Sequence, residues 1–434
     1  MTVNITPAKL SGTIRAVPSK SDAHRLFICA SLGDRPAKLI CREPSKDILA
    51  TADCLRSAWC DIEEQSGIYS IMPRGGKMTE SSFAAEKPVY MNCGESGSTL
   101  RFLMPLSAVF LKTCIFTGEG RLPQRPVSPL REEMERHGCS ILAPADASLP
   151  MRISGRLEPG NYEIPGNVSS QFISGLLMAL PLLAGDSILT VTGKVESMPY
   201  IQMTLRTLCR FGIKIGEEET ADGLRFRIPG GQSCHTPEEA LEAEGDWSSA
   251  AFWITAGFLG GEILYTGLKE NSAQGDRAVR KILEEAGARV TIDHGCLRVA
   301  GGRRNSFTVD AAEIPDLVPI LAVAASVCDG VSVIRGAGRL RIKESDRLTA
   351  TADCLNRLGA DVQEQAEGLI IRGRRMLKGG CVDCYRDHRI AMAMAIAAMV
   401  CEAPVRITGA EAVEKSYPGF FRDFQSLGGV YHVV

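Results

Sequence analysis

The sequence lacks a surplus of either charge: 49 lysines and arginines stand against 51 aspartates and glutamates, a formal net charge of -2 over 434 residues. Such a chain has no global field to draw it to nucleic acid or an anionic membrane, so any anion it binds is captured by local clusters. The opening MTVNITPAKLSGTIRAV has no apolar signal-peptide core. Apolar runs are short as well. Phe172 to Ala184 and Ile390 to Cys401 extend over about 12 residues each, where about 20 are needed to span a bilayer, and both read as buried helices. A Walker loop is also missing, because no Gly-Lys-Ser/Thr follows the glycine-rich segments at the required spacing. The expectation is a cytoplasmic protein without nucleic-acid or membrane partners.

Cysteine is plentiful, with 15 residues, mostly among apolar neighbours as at Cys29 and Cys54. In a long chain without a secretory signal these read as reduced thiols filling small core sites. Cys381 and Cys384 form a lone C-x-x-C with neither a second pair nor nearby histidines, so no metal site is expected.

The chain also repeats internally. Thr51-Ala-Asp-Cys-Leu55 recurs as Thr351-Ala-Asp-Cys-Leu355, and the second copy continues to Gly359 and Val362. The same skeleton returns as Met134-Gly138-Ile141, Leu208-Gly212-Ile215, Leu283-Gly287-Val290 and, loosely, Phe424-Gly428-Tyr431, while Trp59 replaces the glycine in the first copy. Each copy reads as a helix ended by glycine and turning into a strand. Spaced roughly every 70 to 80 residues, about six such units fit the chain, and a βαβαββ unit suits that length. The predicted fold is α/β (α+β), with two similar domains of three units each. The Gly- and Pro-rich segment Gly230 to Pro237 is the natural boundary.

Candidate ligand residues cluster where loops enter helices. Pro18-Ser-Lys-Ser-Asp-Ala-His-Arg25 brings Lys20, Ser21 and Arg25 to a helix start, where exposed N–H groups favour phosphate or carboxylate. In Asn92-Cys-Gly-Glu-Ser-Gly-Ser-Thr-Leu-Arg101, Gly97 allows close backbone approach, and Ser98 or Thr99 is expected to start the next helix. Proline after Arg125 holds an arginine on extended backbone. Ser169, Ser170 and Gln171 open the apolar run, and Ser197-Met-Pro-Tyr200 adds further hydroxyls. Later, Asp316 precedes an apolar helix, Lys343 and Arg347 are expected on one helical face beside Glu344, and Arg389 and Lys415 precede the last apolar helices. Charges packed against buried helices need partners, and so many basic residues at such junctions indicate an anion site.

The motifs PSKSDAHR, NCGESGSTLR, RLPQRP, SSQF, LRIKESDR, YRDHRIAMA and KSYP, in this order, resemble those of the 5-enolpyruvylshikimate-3-phosphate synthase family. The resemblance implies two domains joined by a double-crossover hinge, residues 19–231 and residues 1–18 with 232–434, and an active site in the cleft between them. It implies transfer of the enolpyruvyl group of phosphoenolpyruvate to the 5-hydroxyl of shikimate 3-phosphate, with release of phosphate and no cofactor. Carried over by motif, Lys20, Ser21, Arg25, Ser169, Ser170, Gln171, Ser197, Tyr200, Asp316 and Lys343 would bind shikimate 3-phosphate. Lys20, Gly97, Arg125, Gln171, Arg347, Arg389 and Lys415 would surround phosphoenolpyruvate, and Asp316, Glu344 and Lys20 would move protons. A monomer inhibited by glyphosate is expected.

Three positions depart from the family pattern: Glu95 and Arg339 stand where asparagine is usual, and the glycine common before Ser19 is missing. Two other functions differ from this pattern at particular residues. A related transferase acting on UDP-N-acetylglucosamine carries asparagine after the early lysine and a reactive loop cysteine, whereas here Ser21 follows Lys20 and Cys114 lies in an apolar run. A non-catalytic anion-binding scaffold would not need Asp316 and Glu344 among so many cations.

Overall fold

The glycines of the repeated skeleton all adopt left-handed backbone: φ is 92° at Gly138, 82° at Gly212, 109° at Gly287, 91° at Gly359 and 92° at Gly428. Each follows a helix and precedes a strand, as where Leu130–Arg136 leads through Gly138 into Cys139–Leu142. A side chain at Gly138 would lie 2.4 Å from the Arg156 carbonyl oxygen, so both conformation and space require glycine there. Trp59 escapes the rule because its φ is -125° and its indole is buried at the end of the helix Lys46–Ala58.

The computed structural model describes residues 1–74, 87–293 and 295–434. Among these the chain forms six four-stranded sheets. One shows the pattern: Val89–Asn92 runs parallel to Thr113–Thr117, which pairs antiparallel with Met151–Gly155, and that strand pairs with Cys139–Leu142. Helices Gly97–Phe110 and Leu130–Arg136 fill the connections, giving βαβαββ.

Two compact units result, Lys20–Ala243 and Met1–Ser19 with Glu244–Val434, each containing three sheets. The first sheet of Lys20–Ala243 takes a strand from the unit's far end, Leu241–Glu242, parallel to Ala37–Ile40. This moves residues 232–243 out of the domain to which the sequence assigned them. The pairing is reinforced at Thr236, whose N–H donates to Asp34 at 2.9 Å and whose carbonyl accepts from Arg35 at 2.8 Å. The other unit uses both chain ends: Thr2–Thr6 lies between Val405–Thr408 and Val430–Val433. Ser11–Arg15 runs parallel to Glu262–Thr266 in a separate sheet of that unit.

Each sheet's first helix forms the unit's centre. Lys20–Ser31, Gly97–Phe110 and Ser170–Ala179 are buried over most of their lengths in one unit. Trp247–Phe258, Val318–Ala325 and His388–Ala397 are buried in the other. Helices apolar all round belong inside, which is how both long apolar runs are used. The second of these ends in a 3-10 turn, Ala398–Val400, and the first in Leu180–Leu182, where Pro181 removes a helix donor. No helix among the described residues is long and apolar enough to cross a membrane. The cysteines are free and mostly buried, Cys209 and Cys381 being exposed.

Candidate active site

A buried helix presents its unpaired first N–H groups and the positive end of its dipole at its start, so that end is where an anion or a capping oxygen is stabilised. In both units most of the sequence-predicted residues lie near helix starts, while Arg125 follows the 3-10 turn Leu122–Gln124 and Lys415 ends the 3-10 turn Ala410–Lys415.

In Lys20–Ala243, the Lys20 ammonium donates to Asp47 at 2.9 Å. Behind it, a buried chain of hydroxyls joins His24 Nδ1 to Thr51 Oγ1 at 2.7 Å and Thr51 to Thr99 Oγ1 at 2.6 Å. Burial holds His24 neutral, its pKa pushed down to about 3 despite Asp47 nearby. Arg25 is buried too. It donates to the carbonyls of Ser21 at 2.6 Å and Tyr200 at 2.8 Å and to the Thr204 hydroxyl at 2.8 Å, with its guanidinium over the Phe102 ring. Ser21, Arg25 and Tyr200 therefore meet, and burial lowers Arg25 to about 10.

Two further helix starts are tied together by Gln171. Its amide donates to Ser98 Oγ at 2.8 Å, and its carbonyl oxygen accepts from Arg101 at 2.7 Å. Ser169 caps this helix by accepting from the Gln171 N–H, beside Ser170. The preceding glycine-rich loop differs from expectation. Its helix begins at Gly97 and is capped by Ser96, not by Ser98 or Thr99, because Ser96 Oγ accepts from the Thr99 N–H. Gly97 also makes room for Arg125: a side chain there would lie 2.8 Å from Arg125 Nη1. Ser197 stands at the start of Met198–Arg210 in left-handed backbone, φ 58°, an uncommon conformation for serine. Glu95 is turned towards Gly120, where an added side chain would meet its Oε1 at 2.5 Å.

The other unit concentrates its charges around Arg347, which is almost fully buried. This guanidinium donates to Asp316 at 2.8 Å, Glu344 at 2.8 Å and Asp387 at 2.7 Å. Arg389 donates to the second Asp316 oxygen at 3.0 Å, and the Lys415 ammonium lies 3.5 Å from the second Glu344 oxygen. Desolvation opposes the charge on Arg347, but Asp387, Glu344 and Asp316 outweigh it and keep the guanidinium ionised. Five predicted residues thus form one network: Asp316, Glu344, Arg347, Arg389 and Lys415.

Lys343 and Arg347 do not share a helical face. Gly338–Ile342 is a 3-10 turn, Lys343 is extended, and the α-helix starts at Arg347 because Asp346 caps it through the Thr349 N–H. Lys343 is still electrically part of the cluster. Desolvation lowers its ammonium to about 7, with Asp316 acting in the opposite sense. Arg339 is tied to the Ala312 carbonyl at 2.7 Å.

The sequence reading gave Asp387 and Asp47 no role. Asp387 is fully buried, caps His388–Ala397 by accepting from the Arg389 N–H at 2.9 Å, and accepts from Ser345 at 3.0 Å. Its position directly before an apolar helix was the available signal. Asp47 gave none, since its pairing with Lys20 crosses 27 positions.

The arrangement can hold anions on buried cations and exchange protons through Asp316 and Glu344. Cys114 offers no nucleophile, being buried in Thr113–Thr117, where burial pushes its thiol far above the usual range.

Comparisons with known proteins agree in family. The family model of EPSP synthase (3-phosphoshikimate 1-carboxyvinyltransferase) matches residues 5–424. A 3-phosphoshikimate 1-carboxyvinyltransferase from Clostridium acetobutylicum is 42% identical over 430 residues, covering 99% of this chain and 98% of that protein. Another, from Clostridium kluyveri, is 42% identical over 98% of this chain and 97% of that protein. An EPSP synthase structure from Acinetobacter baumannii superposes with a TM-score of 0.79 at 24% identity, covering 100% of this chain and 99% of that one, a likeness of fold. With a family match across nearly its whole length and relatives of this identity, the chain belongs to the EPSP synthase family.

Proposed function

We propose that the residues gathered at the two sets of helix starts carry out enolpyruvyl transfer from phosphoenolpyruvate to the 5-hydroxyl of shikimate 3-phosphate, a step towards chorismate and the aromatic amino acids. The observation that carries the residue assignment is the Arg347 network, in which two carboxylates, Asp316 and Glu344, are each held by two cations. In this reading Lys20, Ser21, Arg25, Ser169, Ser170, Gln171, Ser197, Tyr200, Asp316 and Lys343 serve shikimate 3-phosphate. Lys20, Gly97, Arg125, Gln171, Arg347, Arg389 and Lys415 serve phosphoenolpyruvate.

The network also supplies a route to acid–base chemistry. Phosphoenolpyruvate competes with Asp316 and Glu344 for Arg347, Arg389 and Lys415. A carboxylate that loses its cation loses what keeps it ionised, and its proton affinity rises. Glu344, with Lys20, then delivers a proton to the methylene carbon. The adjacent carbon gains cationic character, the 5-hydroxyl oxygen attacks it, and Asp316 accepts the hydroxyl proton. The tetrahedral adduct expels phosphate as the methyl group returns its proton, restoring the double bond. We take the enzyme to act as a cytoplasmic monomer, with glyphosate competing against phosphoenolpyruvate.

The test is phosphate release from shikimate 3-phosphate and phosphoenolpyruvate, with UDP-N-acetylglucosamine as the alternative acceptor. Release with the first pair is expected; release only with the second, or with neither, refutes the proposal.

A further inference from the structure

Asp276 has no part in the reaction as described, yet it is buried with 1% exposure in the turn Gly275–Arg277. Its Oδ2 accepts from the Ser248 hydroxyl, while its Oδ1 has no hydrogen-bond partner among the described residues. Ser248 lies in the first turn of Trp247–Phe258, where the cap Asp246 accepts from the Ser248 N–H at 3.1 Å and the Ser249 hydroxyl at 2.7 Å. That helix packs against the turns bearing Asp276 and Asp316 and against His388–Ala397, which carries Arg389. Arg389 is buried as well: Nη2 holds Asp316, and Nε has no hydrogen-bond partner among the described residues.

A buried acid with one unmatched oxygen and a buried arginine with one unmatched N–H are thus held around the same helix start, and each feels the other's charge. Burial raises Asp276 to about 7; Asp316 and Asp246 push the same way, while Arg389 opposes them. The remaining charges on the adjoining helix Ala278–Glu285 pair among themselves, Arg280 with Glu284 and Lys281 with Glu285. Arg277, on the turn itself, donates to the Glu270 carbonyl.

We propose that Asp276 is a positioning residue that takes up a proton from solvent when Arg389 engages the anion of phosphoenolpyruvate. Ionised Asp276 helps to hold Arg389 inside the unit. A bound anion draws on the Arg389 charge and adds negative charge nearby, so both changes favour the neutral acid. Neutral Asp276 in turn leaves more of the Arg389 field for the ligand, and by linkage proton uptake and anion binding reinforce each other.

The inference rests on Arg389 serving phosphoenolpyruvate and is tested by calorimetric titration of the wild-type enzyme with phosphoenolpyruvate near pH 7. Two buffers of different ionisation enthalpy give the number of protons taken up. Uptake is expected, and smaller uptake in Asp276→Asn. The ratio of wild-type to Asp276→Asn KM for phosphoenolpyruvate is expected to rise about tenfold from pH 6 to pH 8.5, the effect of a one-unit pKa change on binding. No uptake by the wild type overturns the proposal without recourse to a variant, and equal uptake or parallel KM profiles overturn it as well. Turnover without proton uptake removes this inference alone, whereas uptake without phosphate release removes only the catalytic reading.

Discussion

Replacing Asp387 by alanine is expected to destabilise the Arg347 unit more than any surface charge change. The carboxylate is fully buried and accepts from the Arg389 N–H, the Ser345 hydroxyl and two Arg347 nitrogens. Loss of a helix cap costs about 1 kcal/mol. Leaving Arg347 buried with one carboxylate fewer costs about 3 kcal/mol, at the low end for a broken buried pair because Glu344 and Asp316 remain. A total of about 4 kcal/mol corresponds to a fall in Tm of about 8–16 °C for a unit of this size. Asp387→Asn keeps a single acceptor oxygen for the Arg389 N–H and loses the one that faced Arg347 Nε, so a fall smaller only by the retained cap, about 1 kcal/mol, is expected. The assay is scanning calorimetry, following the transition of each unit separately, since a two-unit chain has no single Tm. A Tm for Asp387→Ala within about 2 °C of wild type, or an equal fall for Asp387→Asn, would refute the reasoning.

Gly97→Ala presses a methyl group against Arg125 and should raise the KM for phosphoenolpyruvate about tenfold with a smaller effect on shikimate 3-phosphate; steady-state kinetics with each substrate varied checks this. Glu344→Gln should slow turnover by about a thousandfold while leaving shikimate 3-phosphate affinity nearly unchanged by calorimetry, and full activity would remove Glu344 from the proton steps. Lys343 gives a pH prediction. Its folded pKa of about 7 lies below its ordinary value, so the unfolded chain binds more protons from about pH 7 to pH 10, and its contribution to stability rises with pH there. Over the same range its ammonium discharges, so the KM for shikimate 3-phosphate should climb; both slopes should vanish in Lys343→Met, as urea unfolding and kinetics would show.

The repeat was legible because it depends on a local rule. A helix that turns into a strand through left-handed backbone needs glycine, and Gly138, Gly212, Gly287, Gly359 and Gly428 mark five of the six places. Helix starts were legible for the same reason, since caps and apolar runs are short-range patterns. The partnerships were not. Lys20 with Asp47, Arg25 with Tyr200, and Arg389 with Asp316 join residues 27, 175 and 73 positions apart. No local pattern encodes such a meeting. Ser96 and Asp346 show a finer failure: several hydroxyls or carboxylates in a row can each cap a helix, and the backbone chose one. Asp276 was invisible because an aspartate beside a glycine and an arginine looks like any exposed turn.

The interleaving of the two units bears on the order in which they are made. Lys20–Ala243 is continuous, and its closing strand Leu241–Glu242 leaves the ribosome well before the end of the chain, so this unit can fold while synthesis continues. The other unit cannot. Thr2–Thr6 is paired on both sides, and its neighbours Val405–Thr408 and Val430–Val433 are made about 400 residues after it. At about 5–20 residues per second, that early strand waits roughly 20–80 s for its partners.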